Sequence, residues 1–490
     1  MTAPERVVYL DYAATTPVDP AVVQAMGECL GVEGDFGNPA SATHPYGTRA
    51  AARIERARAQ VSALIDAAAE EIVFTSGATE SANLAILGAA YANADRGRHI
   101  VPSRIEHKAV LDACRQLEKQ GYNVTWLIPD GNGVISLESL QRAFRPDTVL
   151  VTLMHANNET GVIQDLAGIG ALCRERGVLF HSDAAQSVGR IPVTAGAVDF
   201  LTFTAHKIYG PKGVGALYVR RSRRGFLQPL SFGGGQERGL RPGTLPTHQI
   251  VGFGEACELM AQRLASESQR LLGLRDRLWS RLSSLGGVHL NGAGAPRLPG
   301  ILNVSFEGVE GESLVTGLPQ LAVSTGSACN SSSADPSYVL RALGRDSQLA
   351  QSSLRLSFGR YTTEADIDLA AEAIVAEVRR LRALSPASEP APAGFSVSGE
   401  AGGPGQESWV RFDLAVEDGI VKAARFKSYG CPHTVAVASW LASQLPGRHR
   451  DALVPGTPTA WAAAQDVPVE KLGRLLVVED ALQQCVRRWE

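Results

Sequence analysis

A chain of 490 residues, 44% hydrophobic and 20% charged, is long enough for about three average domains of ordinary globular character. Its formal net charge of -3 gives no electrostatic reason to bind nucleic acid or an anionic membrane. The seven cysteines are scattered and never spaced C-x-x-C, which argues against a disulfide framework or a closed zinc site. No apolar run reaches the length of a membrane span. The first residues, MTAPERVVYLDYAATTP, lack a basic region followed by an apolar stretch and a cleavage site. A cytoplasmic protein with neither nucleic-acid nor membrane partner is expected.

Between residues 71 and 220, short β-branched apolar runs alternate with longer helical stretches. The runs are 71–75, 98–102, 123–127, 148–154, 178–183, 199–203 and 214–219. Strands at that spacing predict βα units and a mostly parallel sheet covered by helices. A second rhythm begins with a charged helix at 266–284 and ends with one at 364–384. There Ile367, Ala371, Ile374, Val378 and Leu381 share one stripe, and Thr363 with Asp366 makes a capping-box-like start. This predicts a smaller α/β domain packed on the first. The run SPASEPAPAG (385–394) reads as a semi-extended linker. Beyond it, Val410, Phe412, Leu414 and Val416 alternate as in a half-buried strand. The expected organisation is a large domain over 16–261, a small domain from 1–15 with 262–384, a linker over 385–395, and an appended module over 396–490.

In TFTAHKIYGPKG (202–213) a strand ends and Lys207 sits in the turn that leaves it. A lysine there can form a Schiff base with an aldehyde cofactor if its ammonium pKa is lowered; taken alone it would more often be a surface lysine. In HSDAAQSVGR (181–190), Asp183 stands just past another apolar strand. It can pair with a protonated pyridine nitrogen or simply cap a helix. FTSGATESAN (74–83) reads as strand, glycine turn and helix, which aims backbone N–H groups at an anion; Thr79, Thr204 and His206 can reach the same phosphate. The spacing is not that of a Walker loop. His107 in EHKAVLDAC (106–114) can stack on a flat ring while handling protons, and Asn158 in LMHANNETG (153–161) can donate to a ring oxygen. All stand at the C-terminal ends of strands, where open α/β sheets bind ligands. Convergence is the argument, not any single residue.

Together, YLDYAATTP (9–17), GNPAS (37–41), TSGATESAN (75–83), EHKAVLD (106–112), HANNETGV (155–162), SDAAQS (182–187), AHKIYGPKG (205–213), RPGTLP (241–246) and STGSAC (324–329) resemble the group I cysteine desulfurases of the NifS/IscS type, class-V aminotransferases, over about 7–384. The resemblance implies an α/β, fold-type I pyridoxal-phosphate enzyme with a mostly parallel seven-stranded sheet, assembled as a homodimer. It implies pyridoxal 5'-phosphate held by Lys207, which also shuttles the substrate proton. Asp183 would hold the pyridine nitrogen, Asn158 and Gln186 the ring oxygen, and His107 would stack on the ring as acid or base. Ala78, Thr79, Thr204, Ala205 and His206 would bind the phosphate, joined by Thr244 from the partner subunit. Thr204 stands where the family usually carries serine, and the hydroxyl is kept. Arg355 would clamp the carboxylate of L-cysteine through a bidentate pair, with Asn38 nearby. No resident metal is implied.

Cys329 sits among Ser, Gly, Ala and Asn, with no periodicity until Tyr338. It reads as a thiol on a loop that can swing to a substrate and then to a second protein, unlike Cys173 or Cys257. The resemblance implies that its thiolate takes sulfur from L-cysteine. L-alanine leaves, and the persulfide serves a sulfur acceptor such as an iron–sulfur scaffold protein. An ordinary cysteine is only a few per cent ionised at neutral pH, so its proton must be removed or its pKa lowered, with His107 the nearest candidate. A selenocysteine lyase or another class-V enzyme is the alternative. A transaminase would not need this thiol.

From about 396 onward the chain resembles iron–sulfur scaffolds of the IscU/NifU N-terminal type, through DGIVKAARFKSYGC (418–431), VAVASWLASQL (435–445) and VPVEKL with VVEDAL (467–482). That family holds a cluster with three cysteines and an aspartate. Only Cys431 matches, and one thiolate cannot supply the ligands of a cluster. Either Cys431 relays sulfur as a tethered acceptor, or the module is a non-catalytic binding or dimer-supporting domain.

Overall fold

The central sheet is built from Ile72–Thr75 (β1), His99–Pro102 (β2), the short edge strand Asn123–Val124 (β3), Thr148–Thr152 (β4), Leu179–Asp183 (β5), Phe200–Thr204 (β6) and Gly215–Val219 (β7). Apart from β3, every residue of these strands is buried, as a sheet covered by helices on both faces demands. The lateral order is β1-β7-β6-β5-β4-β2-β3; β7 runs antiparallel to β1 and β6, and the other pairs are parallel. The seven apolar runs of the sequence are these seven strands, with 123–127 shortened to two paired residues. The computed structural model describes residues 6–325, 336–385, 393–403 and 407–489. Cys329 and most of the expected linker lie outside the described residues.

Helices Ala78–Ala92 (α1) and Lys108–Lys119 (α2) follow β1 and β2 directly and pack on the sheet through residues such as Leu84, Ile86, Val110 and Leu117. Thr247–Ser283 (α3) is a single helix of 37 residues, beginning well before the 266 expected. Gly252 and Gly254 are poor helix formers by propensity. In the fold they are contact points: a Cβ on Gly254 would lie 2.6 Å from the Ala57 Cα. The first half of α3 buries Ile250, Phe253, Cys257 and Met260 in the core of the large sheet. Its second half buries Leu271, Leu274, Leu278 and Leu282 in a second core. The boundary expected at 261/262 falls within this helix.

The second core lies under an antiparallel sheet of Val288–Leu290 (β8), Ile301–Phe306 (β9), Ser324–Thr325 (β10) and Ser353–Ser357 (β11), in the order β10-β11-β9-β8. Helices Gly311–Thr316 (α4) and Glu364–Leu384 (α6) complete it, while Tyr338–Ala342 (α5) packs on Ile105, and Thr363 caps α6 reciprocally with Asp366. Val8–Tyr9 pairs with Leu321–Ala322, tying the start of the chain to this region.

The C-terminal region is a meander of Val397–Gly403 (β12), Ser408–Glu417 (β13) and Ile420–Tyr429 (β14), followed by Pro432–Gln444 (α7) and Leu472–Arg488 (α8). Val410, Phe412 and Leu414 pack with Leu441, Trp461, Leu475 and Leu482. Polar contacts attach it to the preceding region. Ser313 Oγ donates to the Gly430 carbonyl at 2.7 Å, Lys471 Nζ pairs with Glu312 at 2.8 Å, and Gln348 Nε2 donates to the Tyr429 hydroxyl at 3.2 Å. No helix among the described residues is long and apolar enough to cross a membrane.

Where β7 passes the turn after β1, a Cβ on Gly215 would lie 2.7 Å from the Gly77 Cα and 2.8 Å from the Phe203 carbonyl oxygen. Gly215→Ala should therefore cost about 1–3 kcal/mol of stability by overpacking, read from chemical denaturation midpoints.

Candidate active site

Strands β1, β2, β4, β5 and β6 end at one edge of the sheet, and the chain leaving each of them builds one cavity of about 470 Å³. Ala78, Thr79, His107, Asn158, Asp183, Gln186, Thr204, His206 and Lys207 all line it. Lys207 closes a short 3₁₀ turn, Ala205–Lys207, directly after β6. That turn is pinned from the chain start: the Thr16 N–H and hydroxyl both donate to the His206 carbonyl at 2.9 Å. His206 Nδ1 meets Thr15 Oγ1 at 3.1 Å, and the Tyr209 N–H donates to Thr16 Oγ1 at 2.8 Å. Tyr209 has φ 66°, a left-handed conformation that costs a non-glycine residue about 1–3 kcal/mol and persists only where its surroundings enforce it.

At one end of the cavity, α1 begins with Gly77 at its N-cap and no side chain capping it, so its first N–H groups are left for an anion. Glu80 in that first turn would repel one. Burial opposes its ionisation, but Arg241 Nε at 2.9 Å and the Ser76 N–H at 2.6 Å hold its carboxyl below the usual range and offset its charge. At the other end, Asp183 is buried and its Oδ1 accepts the Ala185 N–H at 2.9 Å. His107 is the N-cap of α2, its Nδ1 accepting the Ala109 N–H at 3.2 Å. The neutral ring then carries its proton on Nε2. Burial pushes the His107 pKa down, opposed by Asp183 and reinforced by Lys207, so the ring is neutral at physiological pH. Asn158 Oδ1 is buried without a partner. An anion-ready helix end, a buried carboxylate and a lysine fit a phosphate-bearing aldehyde ring.

The Aminotransferase class-V family model matches residues 8–369. The chain belongs to that family. It is 56% identical over 381 residues to the cysteine desulfurase IscS of Aeromonas hydrophila, covering 77% of this chain and 94% of the relative. It is 55% identical over the same length to the cysteine desulfurase IscS of Pseudomonas aeruginosa. Among solved structures, a NifS-like protein superposes with a TM-score of 0.71 at 36% identity, over 76% of this chain and all of that one. SspA in complex with cysteine follows at 0.65 and 38%, over 72% of this chain and 99% of that one.

Of the other residues expected at this class-V site, the described ones, Ala205, Arg355, Asn38 and Thr244, are not on the wall of this cavity. Ala205 is fully buried and fixes the turn through its N–H to the Val214 carbonyl. Arg355 is buried beside the cavity, pairing with Asp11 at 2.9 Å and donating to the Asn158 carbonyl at 3.0 Å, while its Nε has no partner. Asn38 and Thr244 line a second cavity of about 310 Å³ with the buried Arg58–Glu237 pair. Lys212 and Thr15 line the main cavity and were not foreseen. Lys212 stands in the quoted GPKG turn, so its signal was present. Thr15 belongs to a segment assigned to the small domain.

Glu106, next to His107, is fully buried; its Oε1 accepts from Ser103 Oγ at 2.5 Å and the Met154 N–H at 3.0 Å, and its Oε2 has no partner. Burial raises its pKa to about 8. The folded state therefore holds this proton where the unfolded chain, at about 4.3, has lost it, and stability falls as pH rises between those values. Glu106→Gln should flatten that decline, read from denaturation midpoints at pH 5.5 and pH 8.

Proposed function

We propose that the chain is a cysteine desulfurase that takes sulfur from L-cysteine and releases L-alanine, using pyridoxal 5'-phosphate held by Lys207. The observation that carries this reading is the meeting of Lys207, Asp183 and the uncapped start of α1 in one cavity, in a chain 56% identical to a cysteine desulfurase. Bound there, pyridoxal phosphate supplies an electron sink for the Cα of an amino acid.

The chain's own residues do the rest. The N–H groups of Ala78 and Thr79, with the Thr79 and Thr204 hydroxyls and His206, bind the phosphate. His206 serves as a neutral ring, since burial with Lys207 close by brings its pKa down to about 4. Asp183 holds the pyridine nitrogen, Asn158 and Gln186 hold the ring oxygen, and Lys207 carries the proton to and from the Cα. His107, neutral with its proton on Nε2, stacks on the ring and offers that proton; acting as a base at Nδ1 would break its cap on α2. Arg355 reaches the substrate carboxylate by exchanging Asp11 for it, which its unpartnered Nε favours. Cys329 is the thiol that takes the sulfur and passes it, as a persulfide, to an acceptor protein.

We also infer a homodimer in which Thr244 completes the site of the partner subunit, with Asn38 near the substrate. Thr244 lines a cavity apart from the main one, and Val32, Phe36 and Phe232 are apolar side chains 83, 51 and 80% exposed, surface that a second copy would cover. The C-terminal region, our IscU-like module over 396–490, acts as a non-catalytic docked domain rather than a relay, because Cys431 is fully buried. The six described cysteines are all unpaired and buried, which suits a reducing compartment such as the cytoplasm.

The purified protein should be yellow and release alanine and sulfide from cysteine in the presence of a thiol reductant. Lys207→Ala should lose both the colour and turnover. Cys329→Ser should keep the colour while sulfide falls to background; normal turnover by it would refute the proposed thiol. Cys431→Ser should turn over within about twofold of the parent, as expected for a buried group remote from the chemistry.

A further inference from the structure

The guanidinium of Arg190 joins three segments of the site. Its Nη1 donates to Gln186 Oε1 at 2.7 Å. Its Nη2 donates to the Tyr12 carbonyl at 2.8 Å and to the Lys207 carbonyl at 3.5 Å. Its own carbonyl accepts from Ser268 Oγ of α3 at 2.8 Å. Burial lowers its pKa only to about 10, so the group is charged at neutral pH. Arg190 does not line the main cavity; it lies behind it, beside a small cleft shared with Lys207 and Tyr209.

We propose that Arg190 is a positioning residue that locks the Gln186 amide as a hydrogen-bond donor toward the ring oxygen of the bound cofactor. This rests on the cofactor reading above. The two ends of an amide are nearly the same in shape and differ only in what they bond, so its orientation is set by its partners. Here a charge-assisted bond from Arg190 fixes the oxygen end, because a guanidinium can only donate. The nitrogen end donates one hydrogen to the Ala13 carbonyl at 2.9 Å. Its second hydrogen is what Gln186, on the cavity wall, can offer to a ligand. A ring oxygen carrying negative charge is stabilised by that donor and would be repelled by the opposite orientation. Without Arg190 the amide can turn over, and the donor is lost for part of the time. The same guanidinium ties the Lys207 carbonyl to Tyr12, so the lysine turn and the amide keep a fixed relation.

The test compares the holoprotein with Arg190→Met, Gln186→Ala and the double variant. The readouts are the pH midpoint of the visible band of bound pyridoxal phosphate, the cofactor dissociation constant by fluorescence, and the thermal midpoint of the apoprotein. Arg190→Met should displace the band's midpoint by at least about half a pH unit, as expected when a hydrogen bond to a charged form is lost. It should weaken cofactor binding by about tenfold, the scale of one charge-assisted bond. In the Gln186→Ala background it should do neither, because the two residues act as one unit. Arg190→Gln, neutral but still able to donate to Tyr12, carries the same expectations if the methionine variant does not fold. Parental midpoint and affinity with only a lower apoprotein melting temperature would overturn the proposal and leave Arg190 a structural tie. Effects of Arg190→Met and Gln186→Ala that simply add would also overturn it. A parent protein with no visible band at all would overturn the cofactor reading first, and this inference with it.

Discussion

The site depends on holding the turn after β6 against the start of the chain. Thr16 donates twice to the His206 carbonyl and accepts from the Tyr209 N–H, so one threonine fixes both sides of Lys207 and stabilises the left-handed Tyr209. The segment carrying Thr16 is itself held elsewhere. Val8–Tyr9 pairs with Leu321–Ala322, and the Ser357 N–H donates to the Leu10 carbonyl at 2.8 Å. Asp11 of the same segment pairs with Arg355 on β11. The position of Lys207 is thus mechanically tied to the second sheet, whose arginine also touches Asn158 on the cavity wall. A displacement of that sheet reaches Lys207 and Arg355 together.

Burial gives this cavity its electrostatic character. His107 and His206 are both driven toward the neutral form by desolvation, as is His155 nearby, whose pKa falls to about 4. The rings can therefore stack and hydrogen-bond without adding charge. Positive potential comes instead from lysines at 207 and 212, from Arg190 behind the wall, and from the uncapped start of α1. The one acid in the first turn of α1 is offset by Arg241. In the proposed reading, a site so arranged would take a phosphate at the α1 end and a protonated ring nitrogen beside Asp183. These separated signs bind one face of a small zwitterionic ring better than they would bind a simple anion.

Much of this was legible in the sequence because fully buried strands leave an unmistakable record. Buried on both faces, β1, β4 and β6 are written almost wholly in large apolar residues and threonine, while β5 turns polar after Phe180, and the residues just past each run line the sheet's edge. What escaped was of two kinds. Close packing can hide an element: Gly252 and Gly254 let α3 press against its neighbours, yet glycines look like a helix end. Hydrogen-bond geometry leaves no pattern at all. Arg190 follows Gln186 by four residues within a run already singled out, but nothing in the spelling says that its guanidinium turns back toward the amide. Asn38 and Thr244 illustrate a third limit, since residues whose proposed work is done for another subunit need not lie near their own cavity.

The C-terminal region shows how burial decides between chemistry and architecture for one cysteine. A relay thiol must ionise and must meet a persulfide, and both need exposure to solvent or to a partner. Cys431 has neither. It lies at the start of α7 with Thr434 Oγ1 at 3.4 Å, directly after Gly430, whose carbonyl is occupied by Ser313 of the preceding region. Exposing its sulfur would mean opening the contact that docks the region to the rest of the chain. The docking contact includes the polar pairs of Lys471 with Glu312 and Gln348 with Tyr429, and such bonds are individually weak in water. Their persistence is better explained by tethering, which raises the local concentration of one surface at the other, than by intrinsic affinity. A domain held in that way is suited to remain in place through turnover, in keeping with the non-catalytic role proposed for it.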